Sequence, residues 1–145
     1  MSRKDDQKTV HASAVAVAGR GVLILGASGS GKSALALRLM ALGAALVADD
    51  QVMLRRKGAL LIASAPPRLV GLIEARGVGL LRAPAVAEAE LALAVDLDRP
   101  PGARMPQPGT ITILGAPIRL ILGHSLPDLD SVLTISMKNG VADAT

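Results

Sequence analysis

The feature that most constrains this chain of 145 residues is a glycine-rich stretch near its N-terminus, Gly26-Ala27-Ser28-Gly29-Ser30-Gly31-Lys32-Ser33. It fits the phosphate-loop pattern G-x-x-x-x-G-K-S/T at every fixed position. Residues 22–25 before it are typical of a strand, and residues 33–42 after it are typical of a helix. This order directs backbone N–H groups and a helix N-terminus at a polyphosphate. The stretch therefore predicts a bound nucleoside triphosphate, with Lys32 on the β- and γ-phosphates and the Ser33 hydroxyl on Mg²⁺.

Length and composition narrow the class of protein. A chain of this length predicts one domain, residues 1–145. The sequence has no Phe, Tyr or Trp, which argues against nucleic-acid binding by base stacking. No apolar run is long enough to span a bilayer, and the polar N-terminus does not resemble a signal peptide. We expect a cytoplasmic protein with no membrane insertion, flexible at residues 140–145 and at 1–9, unless 1–9 forms a short edge element.

The remaining pattern predicts a mixed α/β sheet with several hairpins. Residues 12–17 and 22–25 read as strands joined by a short glycine turn, so the strand before the glycine-rich loop has an antiparallel neighbour. His11 then falls at the same end of the hairpin as the loop, near a bound nucleotide; the alternative is a surface histidine at a strand start. A capping box at Ser125-Leu126-Pro127-Asp128 predicts a last helix to about residue 138.

Acidic residues follow the predicted strand 44–48. Asp49 and Asp50 come directly after the loop–helix–strand unit, so we expect that strand beside the phosphate-loop strand, ending at the same edge. One carboxylate would hold Mg²⁺ and the other would accept a proton from an attacking hydroxyl, whereas a turn or helix cap is the structural alternative. Glu74 and Arg76 are the only charges in residues 72–81, which predicts either a bound ligand or a surface ion pair.

Four segments in one order resemble the catalytic domain of HPr kinase/phosphorylase, over about residues 8–106. That bifunctional bacterial enzyme phosphorylates a serine of the phosphocarrier protein HPr and also removes the phosphate. The chain resembles the short α-proteobacterial form, which consists of the catalytic domain alone. The resemblance implies a P-loop fold like that of PEP carboxykinase, with β-hairpins flanking the strand–loop–helix unit. The segments are His11-Ala12-Ser13-Ala14-Val15, Gly26 to Ser33, Leu46-Val47-Ala48-Asp49-Asp50-Gln51-Val52, and Ile73-Glu74-Ala75-Arg76-Gly77-Val78-Gly79.

The resemblance also implies roles for single residues. His11 matches an active-site histidine, and the Asp49–Asp50 pair matches the catalytic acidic pair, with Asp50 favoured as base and Asp49 nearer the metal. Glu74 matches a Mg²⁺ ligand beside Ser33. Lys32 matches the phosphate-loop lysine, Arg76-Gly77 belong to the family signature, and Arg104 matches an active-site arginine.

The implied function is an ATP- and Mg²⁺-dependent protein-serine kinase that acts on an HPr-like protein in regulation of the phosphotransferase system, in a possible homo-oligomer. One departure concerns the reverse reaction. The family has a basic loop with proline and glycine near the C-terminus, and the comparable stretch from Ala116 keeps only Arg119. The alternatives are a small-molecule P-loop kinase, which usually carries an arginine-rich lid that is not evident here, and a non-catalytic nucleotide-sensing module.

Overall fold

Eleven strands and two α-helices follow one another in the computed structural model, which describes residues 6–102 and 109–140. A short 3₁₀ turn, Pro67–Leu69, precedes the seventh strand. None of the helices in these ranges is long and apolar enough to cross a bilayer. The elements are β1 (Gln7–Val10), β2 (Ser13–Val17), β3 (Arg20–Leu25), α1 (Lys32–Ala41), β4 (Ala45–Ala48), β5 (Val52–Lys57), β6 (Leu60–Ser64), β7 (Leu72–Ala75), β8 (Gly79–Arg82), β9 (Glu88–Asp96), β10 (Gly109–Ile113), β11 (Ala116–Leu122) and α2 (Leu129–Asn139).

The main sheet is mixed and runs in the order β1-β5-β6-β9-β3-β2-β4. Strand β9 changes neighbours along its length: its first residues pair antiparallel with β6, and its last residues lie parallel between β3 and β11. Strand β2 is antiparallel to both β3 and β4. The carboxyl ends of β11, β9, β3 and β4 therefore meet at one edge, called the site edge below, where ligands of α/β sheets bind.

Strand pairing confirms the predicted mixed sheet and the hairpin of β2 with β3, but one expected neighbour is wrong. Strand β4 does not lie beside β3, because β2 is inserted between them and pairs with both. The carboxyl end of β4 still reaches the site edge, since two antiparallel pairings in succession restore its direction. The acidic pair is thus displaced by one strand from its expected position.

Both helices pack on one face of the sheet. The apolar side of α1 carries Leu35 and Leu39, which are fully buried and pack with Leu133 of α2 and Ile73 of β7. A second cluster of buried side chains fills the other face, around Leu23. Strand β2 is buried at every position, so its small residues serve both faces.

Element ends differ from the sequence predictions in three places. Helix α1 ends at Ala41 and not at Leu42, which is its C-cap and is 42% exposed. Helix α2 begins at Leu129, and Asp128 at its N-cap makes no side-chain capping bond, so the predicted capping box is wrong. Gln7–Val10 forms the edge strand β1, which overlaps residues 1–9, the segment predicted to be either flexible or a short edge element.

Candidate active site

The glycine-rich loop leaves β3 at the site edge and enters α1. Gly29 and Gly31 have φ of 85° and 100°, a left-handed conformation that favours glycine. A Cβ added at Gly26 would clash with Ser30 Oγ. Helix α1 has no side-chain N-cap, and in the described chain the N–H groups of Lys32 and Ser33 have no hydrogen-bond partner. The loop therefore offers an anion a set of free backbone donors.

Lys32 lies folded against its own loop. Its side chain is buried, and Nζ donates to the carbonyl oxygens of Gly26 at 2.8 Å and Ala27 at 2.9 Å. Two main-chain carbonyl groups are neutral acceptors, so the ammonium charge is solvated by dipoles and not by a carboxylate. This leaves the charge available to an anion seated on the loop.

The loop is fastened to β9 by a carboxylate that the sequence analysis did not single out. Asp98 Oδ2 accepts a hydrogen bond from the Ala27 N–H at 2.8 Å, next to a main-chain bond from Leu97 N to Leu25 O. The sequence does show charged residues directly after β9, which is a sign of a functional strand end. Only the pairing of β9 with β3 shows that one of them contacts the glycine-rich loop.

Asp96 orients that same turn. Its carboxylate accepts bonds from the Asp98 N–H and from Arg99 Nε, both at 2.8 Å. Burial raises the pKa of Asp96, but the hydrogen bonds from Asp98 and Arg99 and the Arg99 charge outweigh it, so the pKa lies below its usual value of 3.8.

Asp49 is a buried junction between three elements. Its Oδ1 accepts hydrogen bonds from Ser13 Oγ of β2 and Ser33 Oγ of α1, both at 2.7 Å. Its Oδ2 accepts a bond from the Glu74 N–H of β7 at 3.0 Å. The side chain is 4% exposed. Asp49 thus holds the serine next to Lys32 in place, and all its described contacts are with donors.

Asp50 points the other way, as adjacent residues at a strand end do. Its φ of 70° is left-handed, and its side chain is 62% exposed. His11 Nδ1 lies 3.4 Å from Asp50 Oδ1, and the Ala12 N–H donates to the Asp50 carbonyl oxygen at 3.3 Å. The chain therefore bends after β4, which leaves Asp49 buried and Asp50 exposed beside His11.

One cavity of about 290 Å³ brings most of the predicted residues together, and it is called the transfer cavity below. Asp49 lies behind it, bonded to Ser33. No ion pair joins Glu74 to Arg76 in the part of the chain that the structure describes. Arg104 lies outside the described residues. The predicted residues lining the cavity are His11, Ser28, Gly29, Gly31, Lys32, Ser33, Asp50, Glu74 and Arg76.

One further position named in the sequence analysis lies elsewhere. Arg119 stands within strand β11, not in a loop, and does not line the transfer cavity. The segment after β11 that does reach the site edge is 123–128, which connects to α2. The stretch from Ala116 is therefore a strand, and the C-terminal loop at this edge is formed by residues 123–128.

Metal-binding groups are sparse here. Within residues 6–102 and 109–140 no group of three or more His, Asp or Glu side chains is placed to hold a metal ion. Magnesium bound with a nucleotide needs only one or two protein ligands, because phosphates and water supply the rest. The oxygen groups in or directly behind the cavity include the Ser33 hydroxyl and the carboxylates of Asp49, Asp50 and Glu74, so the donor set fits Mg²⁺ and not a softer metal.

Comparison with known proteins identifies the family. Residues 4–90, more than half of the chain, match the HPr Serine kinase C-terminal domain. The chain belongs to this family. The matched range includes the glycine-rich loop, both aspartates and Glu74, but ends within β9, before Asp98 and the 123–128 loop.

Two curated relatives match about half of the chain. The HPr kinase/phosphorylase of Peptoclostridium acidaminophilum is 51% identical over 75 residues, which are 51% of this chain and 24% of that protein. That of Caldanaerobacter subterraneus subsp. tengcongensis is 50% identical over 76 residues, or 52% of this chain and 25% of that protein. The chain's similarity thus spans about a quarter of the length of these curated relatives.

A solved structure extends the likeness beyond the matched range. The Hpr(Ser) kinase/phosphatase from Coxiella burnetii superposes with a TM-score of 0.78 at 29% identity, covering 91% of this chain and 95% of that one. The mixed α/β fold is therefore shared over nearly the whole chain.

Proposed function

We propose that this chain is the catalytic domain of an ATP- and Mg²⁺-dependent protein-serine kinase that phosphorylates an HPr-like phosphocarrier protein. One observation supports this most: a single cavity is lined both by residues that can bind phosphate, Lys32 and Ser33, and by residues that can accept a proton, Asp50 and His11. The family and the names of its relatives supply the acceptor. In this proposal the chain is a single domain with a P-loop fold like that of PEP carboxykinase. The kinase acts in the cytoplasm in regulation of the phosphotransferase system, in a possible homo-oligomer.

The phosphate groups would be held by the loop. Its free N–H groups and the Lys32 ammonium would neutralise the charge of the β- and γ-phosphates, and little else is needed for in-line phosphoryl transfer beyond positioning. Ser33 and Glu74 would hold Mg²⁺, which would supply further positive charge against the phosphates. Asp49 would orient the Ser33 hydroxyl from behind through the 2.7 Å bond.

Asp50 is the proposed general base. Asp49 already accepts three hydrogen bonds and is buried, so it has no access to a protein substrate. The Asp50 carboxylate is exposed on the transfer cavity, and His11 lies beside it to hold its orientation. The acceptor serine oxygen would bond to the γ-phosphorus as the bond to the β,γ-bridging oxygen breaks, ADP would leave, and the serine proton would pass to Asp50.

A transfer assay tests the proposal. The purified chain is mixed with ATP, Mg²⁺ and the HPr of its own organism, and the intact mass of HPr is measured. We expect one acid-resistant phosphate on HPr, absent with Lys32→Ala and with Asp50→Asn. Adding inorganic phosphate to the phosphorylated HPr then tests the reverse reaction.

Two outcomes would contradict parts of this account. ATP binding without any transfer to HPr would favour a nucleotide-sensing module or a small-molecule kinase. Full transfer by Asp50→Asn would remove Asp50 as the base while leaving the kinase assignment intact.

A further inference from the structure

A small cavity of about 140 Å³ lies at the end of the sheet opposite the site edge. It is lined by Arg20 of β3, Leu93 of β9, Arg119 of β11 and the C-terminal part of α2, and is called the arginine pocket below. Strand β3 runs from this pocket to the glycine-rich loop. At about 3.3 Å per residue, Gly26 lies about 20 Å from Arg20, so the arginine pocket is separate from the transfer cavity.

Both arginines lie on the helix-covered face of the sheet because of strand alternation. Side chains on one face of a strand recur at every second residue, so Arg20 shares a face of β3 with Val22 and Ile24. Arg119 likewise shares a face of β11 with Ile121. These three apolar side chains belong to the cluster that packs against α1 and α2.

The two arginines lie on either side of β9 and converge over it. Strand register places Arg119 and Val22 on opposite sides of Leu93. Two strand spacings of about 4.8 Å, and two residues along β3, put the Cα atoms of Arg20 and Arg119 about 12 Å apart. Arginine side chains are long enough to meet across that distance, and both line the same pocket.

The charge of the arginine pocket is unbalanced. Within residues 6–102 and 109–140 neither guanidinium group makes a hydrogen bond or an ion pair, and no carboxylate lines the pocket. Arg55, which lines a different cavity, is paired with Glu88 at 3.0 Å. Two like charges on one face repel each other, so a bound anion would turn this repulsion into attraction.

The C-terminal end of α2 does not supply the missing partner. Arginine side chains near such an end often bond to the last carbonyl groups of the helix. Here the Gly140 N–H donates to Ser136 O at 2.7 Å, and the Ser136 hydroxyl donates to Leu133 O at 3.1 Å. The end of a helix is equivalent to about half a negative charge, which does not balance two guanidinium groups.

We propose that the arginine pocket binds the phosphate group of a small molecule, either inorganic phosphate or a phosphate monoester. Two guanidinium groups that converge on one centre match a dianion, and phosphate oxygens accept paired hydrogen bonds from arginine. The pocket is smaller than the about 300–1,000 Å³ of sites that enclose drug-sized ligands, so only a compact group would be enclosed. This site is distinct from the phosphoryl-transfer site and does not depend on the proposed kinase function.

A phosphate group in the arginine pocket would connect β3 to β11 across β9. Strand β3 leads to the glycine-rich loop, and β11 leads to the 123–128 loop at the site edge. A ligand that binds only the folded protein raises its Tm. We therefore expect phosphate to stabilise the arrangement of these three strands.

Backbone amide NMR during a titration with inorganic phosphate locates the bound anion. Lys32→Ala is the background, because it weakens phosphate binding at the glycine-rich loop, and the wild type is titrated beside it. We expect saturable shifts at residues 20–21, 92–93, 119–121 and 136–140 in both proteins. Shifts confined to residues 26–34, or no saturable shift at all, would overturn the site.

A double variant, Arg20→Gln/Arg119→Gln, removes both guanidinium groups. In the Lys32→Ala background we expect the Kd for phosphate to rise about tenfold or more. Arg68→Gln/Arg82→Gln is the matched control, because it removes the same charge from two exposed arginines outside the pocket, and it should leave the Kd unchanged. Equal weakening in both double variants would refute the pocket, since the overall charge would then explain the binding.

Three anions at one ionic strength test the chemistry of the ligand. Tighter binding of glycerol 3-phosphate than of inorganic phosphate supports a phosphate monoester as the ligand, and the reverse order supports the free ion. Acetate carries one negative charge and should bind at least about tenfold more weakly than either. Acetate binding as tight as that of phosphate would overturn the phosphate assignment.

Discussion

The adjacent carboxylates of Asp49 and Asp50 should respond in opposite ways to the same substitution. Asp49 is buried and accepts three hydrogen bonds, whereas Asp50 is 62% exposed with one loose partner. We predict that Asn at position 49 destabilises the fold and that Asn at position 50 does not. Both variants should lose kinase activity, so only stability distinguishes the two roles.

The size of the effect follows from the bonds. A hydrogen bond to a charged acceptor contributes about 1.5–3 kcal/mol, and a neutral one about 0.5–1.5 kcal/mol. Replacing the Asp49 carboxylate by an amide therefore loses about 1 kcal/mol for each of three bonds. Relief of the desolvation of a buried charge returns part of this, which leaves about 2 kcal/mol. The exposed pair of Asp50 with His11 contributes under about 0.5 kcal/mol, and Asn tolerates the left-handed backbone there.

Thermal unfolding monitored by circular dichroism measures the difference. A domain of this size shifts its Tm by about 2–4 °C per kcal/mol, so Asp49→Asn should lower the Tm by about 4–8 °C. Asp50→Asn should lie within about 2 °C of the wild type. Equal Tm values for the two variants would refute the reasoning, since the buried junction would then contribute nothing to the fold.

Three further predictions concern the turn after β9 and Gly123, the residue that follows β11. Asp98→Ala leaves the Ala27 N–H without its acceptor, so steady-state kinetics should show a raised KM for ATP with kcat less affected; an unchanged KM would contradict this. The pKa of Asp96 is lower in the folded state than in the unfolded state, so the Asp96 carboxylate stabilises the fold above its usual pKa. This stabilisation is lost as the pH falls through the folded-state pKa. In urea unfolding below about pH 4, the unfolding free energy of the wild type should therefore fall more steeply with pH than that of Asp96→Asn. Gly123→Ala, whose Cβ would lie 2.9 Å from a Val95 methyl, should cost about 1–3 kcal/mol of unfolding free energy. Gly102→Ala, whose Cβ would have no described atom within 4 Å, should be close to neutral in the same unfolding experiment.

Much of the site could be predicted because its parts are local in sequence. Lys32 and Ser33 follow a loop whose glycines are needed within a few residues of each other, and His11 is brought to the loop by a short hairpin. Asp98 could not be predicted in the same way. Its contact with Ala27 spans 71 residues and depends on β9 pairing with β3.

The different roles of the two aspartates also required the tertiary structure. The sequence predicted that both aspartates follow the same strand. Asp50 was favoured as the base only because of the resemblance to the family. Which carboxylate is buried depends on Ser13 and Glu74, donors on two other strands. Hydrogen-bond satisfaction of a buried charge is a property of the assembled elements, because each donor comes from a different part of the chain.

The sequence by itself determined the strand–loop–helix unit, the hairpins and the family, since turn chemistry and apolar periodicity act over a few residues. Only the tertiary structure decided that β2 lies between β3 and β4 and that residues 123–128 form a loop at the site edge. Strand order is set by non-local pairing and by the burial of both faces of β2, and no local pattern encodes it.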